Sequence, residues 1–191
     1  MIRYRGGDYH AHVERLTETN PVEATVPLHV RYALSAFAFF AVVRHGGHGS
    51  PASFLDVGCR LAWLADFFRD TQYIYEGIDA NPHASVQAQG LGRPVSRSPE
   101  RPAYDIVFCR QVLQYLDDLP GFIRYLEGLV APGGVLVIVQ SIPWSLEAPH
   151  HFSAVDHLDD IIACISLSIE HGQPLTLASE REIVILARRP A

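Results

Sequence analysis

The sequence predicts an α/β fold, a doubly wound and mostly parallel seven-stranded sheet with a C-terminal antiparallel hairpin strand. Three observations predict it. Short apolar runs of strand length alternate with segments of helical periodicity, and that order requires crossovers and a parallel sheet. The first run, Ser53–Val57, ends at Gly58, whose backbone freedom suits a sharp strand-to-helix turn. The last two runs, Pro174–Ser179 and Glu182–Arg188, are separated only by Glu180-Arg181 and so form a hairpin.

Each element has its own justification. Residues 1–27 lie outside the core pattern. Leu28 to Arg44 is apolar nearly all round, which predicts a helix buried against the sheet and under the N-terminal arm. Its most apolar stretch, Tyr32 to Val43, is twelve residues, too short for the ~20 of a membrane span, and the N-terminus lacks a leader pattern. After Gly58, Leu61 to Phe68 carries apolar residues at helical spacing, placing a helix N-terminus just beyond the turn. Tyr73 to Ile78 is the second strand and ends at Asp79, 23 residues after Asp56. Asn81 to Gly90 is a weak helix closed by Gly90-Leu91-Gly92, and Arg93 to Ser98 a short third strand. Tyr104 to Arg110 reads as a buried fourth strand. Pro120 opens a helix that ends at Leu129, with Asp117 and Asp118 suited to its dipole. Pro132-Gly133-Gly134 then stops the helix, and Val135–Val139 is a strongly apolar strand. Ser153-x-x-Asp156 is a capping box for a helix to about Glu170, stopped at His171-Gly172.

Composition narrows the function. The 191-residue chain is 48% hydrophobic and 19% charged, the balance of one globular domain. All fifteen basic residues are arginine, which removes lysine chemistry from consideration. A formal net charge of −6 argues against a sequence-independent grip on nucleic acid. Cys59, Cys109 and Cys164 are odd in number and far apart, so neither a disulfide framework nor a zinc site is indicated. His45-Gly-Gly-His48 offers two ligands without a nearby carboxylate, too few for a metal.

The chemistry-bearing stretches occur in a telling order. Phe54-Leu55-Asp56-Val57-Gly58-Cys59-Arg60-Leu61-Ala62 is a strand and glycine turn, and Asp79 tips the next strand where an acid can accept from ribose hydroxyls. Tyr104-Asp105-Ile106-Val107 leads into Val112-Leu113-Gln114-Tyr115-Leu116, and Pro132-Gly133-Gly134 precedes the last parallel strand. This series resembles the class I S-adenosylmethionine-dependent methyltransferases, in particular the small-molecule, type 11-like branch. The likeness runs from Phe54 to Pro190. The departures are Arg60 and Ala62, which stand where the family has its second and third glycines. A nicotinamide-dependent oxidoreductase fits less well, because G-x-G-x-x-G would need glycine where Arg60 and Trp63 stand. The stronger rival is a catalytically silent relative that serves as a binding partner or scaffold.

The resemblance implies a single domain over 1–191, with 1–50 as an N-terminal helical extension or lid and 51–191 as the core. It implies a cytoplasmic enzyme that takes S-adenosylmethionine and a small-molecule substrate, with no nucleic acid or membrane partner and a homodimer left open. Asp56, Gly58, Cys59, Arg60, Ala62, Asp79, Ala80, Ser96, Cys109 and Arg110 would border the cofactor. Within that set the Arg60 guanidinium either pairs with the cofactor's carboxylate or points into solvent from a decayed pocket, and Ala62 adds only a methyl group, tolerated where φ stays negative. The family's acid after strand three is replaced by Ser96, Ser98 or Glu100. Gln111, Trp144 and His150 would line the acceptor site, with Tyr115 close by. His151, just before Phe152-Ser153 in the loop after the Val135–Val139 strand, is the candidate general base, since histidine titrates near neutrality.

Overall fold

In a computed structural model of the protein, the described residues are 28–46, 51–113, 116, 118–141, 158–177 and 180–191. They form a seven-stranded sheet in the order β3-β2-β1-β4-β5-β7-β6. The elements are α1 (Leu28–His45), β1 (Ser53–Val57), α2 (Leu64–Phe68), β2 (Ile74–Ile78), α3 (Pro82–Gly90) and β3 (Val95–Ser96). They continue with β4 (Tyr104–Arg110), α4 (Leu119–Gly128), β5 (Val130–Ser141), α5 (Leu158–Ile162), β6 (Ser168–Leu177) and β7 (Glu180–Arg188). β1 pairs in parallel with both β2 and β4, and β4 with β5. β7 is antiparallel to β5 and to β6, so it is the one reversed strand.

Alternation along the central strands divides the core in two. Leu55, Val107, Cys109, Leu136, Ile138, Ile183 and Ile185 face α4, where Phe122, Ile123 and Leu126 fill the layer. Phe54, Ile106, Phe108, Val135, Val137, Val184 and Leu186 face the other way, onto Phe37, Ala38 and Ala41 of α1 and Leu64 and Phe68 of α2. A strand buried on both faces reads as a continuous apolar run, the pattern of β1 and β4 in the sequence. α1 is only partly covered: Phe39 and Val43 are exposed, against the expectation of a helix buried all round.

The helix ends follow local chemistry. Asn81 caps α3 by accepting from the His83 backbone N–H at 3.0 Å, with Pro82 next in line. Asp118 caps α4 by accepting from the Gly121 N–H at 2.8 Å. Asp118 Oδ2 would lie 2.0 Å from a Cβ at Gly121, so the cap needs that glycine.

Several expected boundaries are corrected. The third strand has shrunk to Val95–Ser96 because only Gly77 and Ile78 of β2 pair with it. Pro132-Gly133-Gly134 stops no helix; it lies inside β5, where the ladder with β4 shifts register between Tyr104 and Ile106. The carbonyl of Gly134 and the N–H of Gly133 bond instead to the C-terminal residues 189 and 190. The expected helix to Glu170 is described only as Leu158–Ile162; Ser168 to Glu170 belong to β6, and the His171-Gly172 stop sits within that strand. Glu180 and Arg181 are not the hairpin turn but ladder residues opposite Leu177 and Thr176. The capping box at Ser153 lies outside the described residues.

Candidate functional site

In open parallel sheets, ligands bind beyond the carboxyl ends of the strands, where the strand order reverses. Here that point lies between β1 and β4, whose last pair is Val57 with Cys109. Beyond it the chain makes two turns. One is Gly58 to Trp63, after β1; the other begins at Gln111, after β4. The two touch, because a Cβ on Gly58 would lie 2.3 Å from Val112 Cγ2.

The first turn has an unusual backbone. Gly58 has φ 73°, and Arg60 and Ala62 both have φ 51°. The alternation of left-handed residues is therefore kept although two of the three have side chains. Ala62 is outside the negative-φ range in which alanine replaces glycine without strain; the turn holds it left-handed. Gln111 adds another non-glycine residue at φ 55° on the opposite side of the crevice. Such conformations cost about 1–2 kcal/mol each and persist only where neighbours over-determine them.

Those neighbours can be named. The N–H groups of Gly58 and Cys59 both donate to the Ile78 carbonyl, at 2.8 and 3.1 Å. The Arg60 N–H donates to Asp79 Oδ2 at 2.7 Å, while Asn81 N–H donates to Oδ1 at 2.8 Å. Arg93, buried beside β3, donates to the Leu61 carbonyl at 3.1 Å and to Asp66 Oδ2 at 2.5 Å. Its guanidinium lies 4.3 Å from the Trp63 ring centroid, which adds a cation–π contact. Leu61, Ala62 and Trp63 form a turn, so the helix starts at Leu64 and not at Leu61. α2 is only five residues long.

Electrostatics around the turn are set by burial. Asp56 is fully enclosed, which pushes its carboxyl up to about 7 although the Tyr75 hydroxyl donates to it at 2.9 Å. Asp79 is also raised by burial, against the two backbone N–H bonds and the Arg60 charge. Burial lifts the Cys59 thiol well above its ordinary range; it packs with Ala62, Ala88 and Val95, not toward the crevice. Cys109 is likewise enclosed, so only the main chain of these two cysteines can border a ligand.

The sequence candidates fall into four groups. Asp79, Ala80, Gly58, Arg60 and Ala62 are together at the β1–β2 tips. Ser96 is at the end of β3, where its hydroxyl donates to the Ser98 carbonyl at 2.6 Å. Trp144, His150, His151 and Tyr115 lie outside the described residues. Arg110 and Gln111 form a second cluster with two residues that the sequence reading missed. Arg110 Nε and Nη2 donate to Glu182 Oε1 at 3.0 and 2.6 Å, and Gln111 Nε2 donates to the same oxygen at 3.0 Å. Gln140 Nε2 donates to Gln111 Oε1 at 3.3 Å. Glu182 is the third residue of β7 and Gln140 the last but one of β5, so only the antiparallel register brings them to the crevice. Arg93 was missed as well; a lone arginine before Pro94 carries no signal of the turn it holds.

Among the described residues, no group of three or more histidine, cysteine or acidic side chains could hold a metal ion, and no helix is long and apolar enough to cross a membrane.

Comparisons with known proteins agree with this geometry. Among solved structures, N-methyltransferase NodS from Bradyrhizobium japonicum WM9, in complex with S-adenosyl-L-homocysteine, is similar at 18% identity with TM-score 0.71, covering 95% of this chain and 98% of that one. Magnesium protoporphyrin IX methyltransferase (ChlM) from Synechocystis PCC 6803, with bound S-adenosylhomocysteine, is similar at 15% identity with TM-score 0.70, over 95% and 97%. The [4+2]-cyclase SpnF is similar at 14% identity with TM-score 0.67, over 85% and 81%. These likenesses show the fold. A curated relative, trans-aconitate 2-methyltransferase of Methylobacterium radiotolerans, is 32% identical over 114 residues; the match takes in 53% of this chain and spans 42% of the relative's length. The sequence profile of the methyltransferase domain family matches residues 10–171. With most of its length matched by that profile, the chain belongs to the methyltransferase domain family.

Proposed function

We propose that the protein is an S-adenosylmethionine-dependent methyltransferase acting on a small-molecule acceptor, and that its whole length is one domain. One observation carries this reading: the turn after β1 keeps left-handed residues at positions 58, 60 and 62 although arginine and alanine occupy the last two. Keeping that geometry against the strain of two side chains favours a loop still in use and weakens the silent-scaffold reading, whose support was the missing glycines.

The residues present fit the cofactor. Each oxygen of Asp79 accepts one backbone N–H, which leaves lone pairs for two ribose hydroxyls. Gly58, where a Cβ would strike Val112, lets the turns after β1 and β4 close on each other at the mouth of the crevice. The exposed Arg60 side chain is available for the cofactor's carboxylate, and the Cys109–Arg110 main chain borders the site from β4. When bound, the group supplies an electrophilic methyl; the chain's part is to align donor and acceptor and to receive the acceptor's proton. His151 is our candidate for that proton. The SpnF likeness warns that this fold also hosts other reactions, so turnover needs its own measurement.

The test is calorimetric titration of the protein with S-adenosylmethionine and S-adenosylhomocysteine. Saturable binding is expected. Asp79→Ala removes hydrogen bonds to a charged group worth about 1.5–3 kcal/mol, so it should weaken binding at least tenfold. No saturation at millimolar cofactor overturns the proposal. If Arg60 holds the cofactor's carboxylate, Arg60→Gly lowers affinity; a tighter complex would mean that the side chain merely obstructs. His151→Ala should reduce turnover by about 10²–10⁴ while leaving cofactor affinity nearly intact.

A further inference from the structure

We infer that the Arg110–Glu182 pair reads a carboxylate on the acceptor, so that the substrate class is a small carboxylic acid; this rests on the methyltransferase reading above. Arg110 ends β4, beside the strand-order reversal, and its main chain borders the cofactor. Its side chain, however, leans away from the β1 turn toward β7. There Nε and Nη2 both donate to a single oxygen, Glu182 Oε1. A guanidinium carries five N–H groups in a rigid plane. Two are used by Glu182, and among the described residues no other acceptor takes the remaining three. Glu182 is 1% exposed, whereas the Arg110 side chain keeps 13% of its surface open, so the accessible part of the pair is the cation.

The purpose of the pair is otherwise hard to explain. A buried ion pair is a weak source of stability, because desolvation offsets most of the attraction. What it supplies here is aim. Glu182 also takes the Gln111 amide at 3.0 Å, and Gln140 backs Gln111 at 3.3 Å, so four side chains from the ends of β4, β5 and β7 hold one another. Gln111 is kept left-handed, at φ 55°, where it meets this cluster. A guanidinium fixed along one edge presents its other edge in a constant direction, and two parallel N–H groups match the two oxygens of a carboxylate. A neutral amide offers that edge a single oxygen and no charge, so it forgoes both the paired oxygens and the charge assistance that a carboxylate supplies. The cluster lies over β4, β5 and β7, beside the cofactor's place and not within it. That is where an acceptor must lie to meet the transferred methyl.

The experiment saturates the protein with S-adenosylhomocysteine and titrates acetate, succinate, benzoate and trans-aconitate beside their neutral primary amides. At least one acid should bind saturably, with its amide at least tenfold weaker. Arg110→Gln alone would strand a buried Glu182 charge, so the informative variant is Arg110→Gln with Glu182→Gln, which keeps the cluster neutral. It should weaken the acid at least tenfold, with the affinity for S-adenosylhomocysteine changed far less and the melting temperature retained. Arg110→Lys, which keeps the charge but not the fork, should fall between. Equal binding of acid and amide, an acid affinity that survives the double substitution, or equal losses for acid and S-adenosylhomocysteine each overturn the inference. So does failure of every acid while S-adenosylhomocysteine binds. Failure of S-adenosylhomocysteine itself would strike the methyltransferase reading instead.

Discussion

Arg60 and Ala62 offer a matched pair of perturbations, since both sit at φ 51° in one turn and differ mainly in what their side chains touch. A left-handed non-glycine residue costs about 1–2 kcal/mol, and glycine returns that cost less the ~0.5–1 kcal/mol of freedom it adds to the unfolded chain. The Arg60 side chain is exposed, and its attraction to Asp79 is worth only a few tenths of a kcal/mol in solvent. Arg60→Gly should therefore stabilise the protein by about 0.5–1 kcal/mol. For a chain of this size, that raises the melting temperature by roughly 1–4 °C. The Ala62 methyl is fully buried against Cys59, Ala88 and Val95, and losing it forfeits about 0.8 kcal/mol of burial. Ala62→Gly should come out near zero. Urea titration and calorimetry at pH 7, without cofactor, give both differences. A less stable Arg60→Gly protein, or a gain confined to Ala62→Gly, would refute the strain argument.

Three further outcomes follow from the same contacts. Because Asp56 holds its proton up to about pH 7 when folded but ionises near pH 4 when unfolded, stability should decline as pH rises between those values and then level off; Asp56→Asn should remove the decline and be the more stable form at pH 8, read from urea midpoints at pH 5 and 8. Gly58→Ala adds a left-handed strain at φ 73° to a 2.3 Å clash with Val112 and should cost about 2–4 kcal/mol, part of which the double variant Gly58→Ala with Val112→Ala recovers. Glu127, buried on α4, accepts from Ser166 N–H at 2.5 Å, Ser166 Oγ at 2.7 Å and Leu167 N–H at 3.0 Å; Glu127→Gln should cost about 1.5–3 kcal/mol and speed amide hydrogen exchange at Ser166 and Leu167.

Sequence carried the parts of this protein that local pattern determines. The double-faced apolar runs of β1 and β4, the Gly58 turn and the acid at the tip of β2 can all be read residue by residue, because each depends on its immediate neighbours. The caps at Asn81 and Asp118 are equally local. What escaped was set by register between distant strands. Glu182 reaches Gln111 only because β7 runs antiparallel along β5, pairing Glu182 with Ser141. Arg93 supports Leu61 across a gap of 32 residues. Ser168 to Glu170 read as the end of a helix because their spacing is ambiguous, and pairing with Ala187 and Arg188 decided for strand. The glycines missing from the turn misled for a related reason: composition shows what a residue prefers, while Asp79 and the Ile78 carbonyl dictate what Arg60 and its neighbours must adopt.

The place of β7 also bears on how the chain assembles during synthesis. β7 is made after both β5 and β6, yet it lies between them. Until residues 180–188 leave the ribosome, β5 has one open edge, and its Val135, Val137 and Val139 have no β7 neighbours. Insertion of β7 then closes two ladders at once. Arg188 ties them to the end of α1 by donating to the Arg44 carbonyl at 2.7 Å. Nascent chains halted before residue 180 would thus expose an unpaired apolar strand edge, the kind that recruits other strands. Vulnerability to aggregation should be concentrated in that interval of translation, and a chaperone that shields β5 would act there.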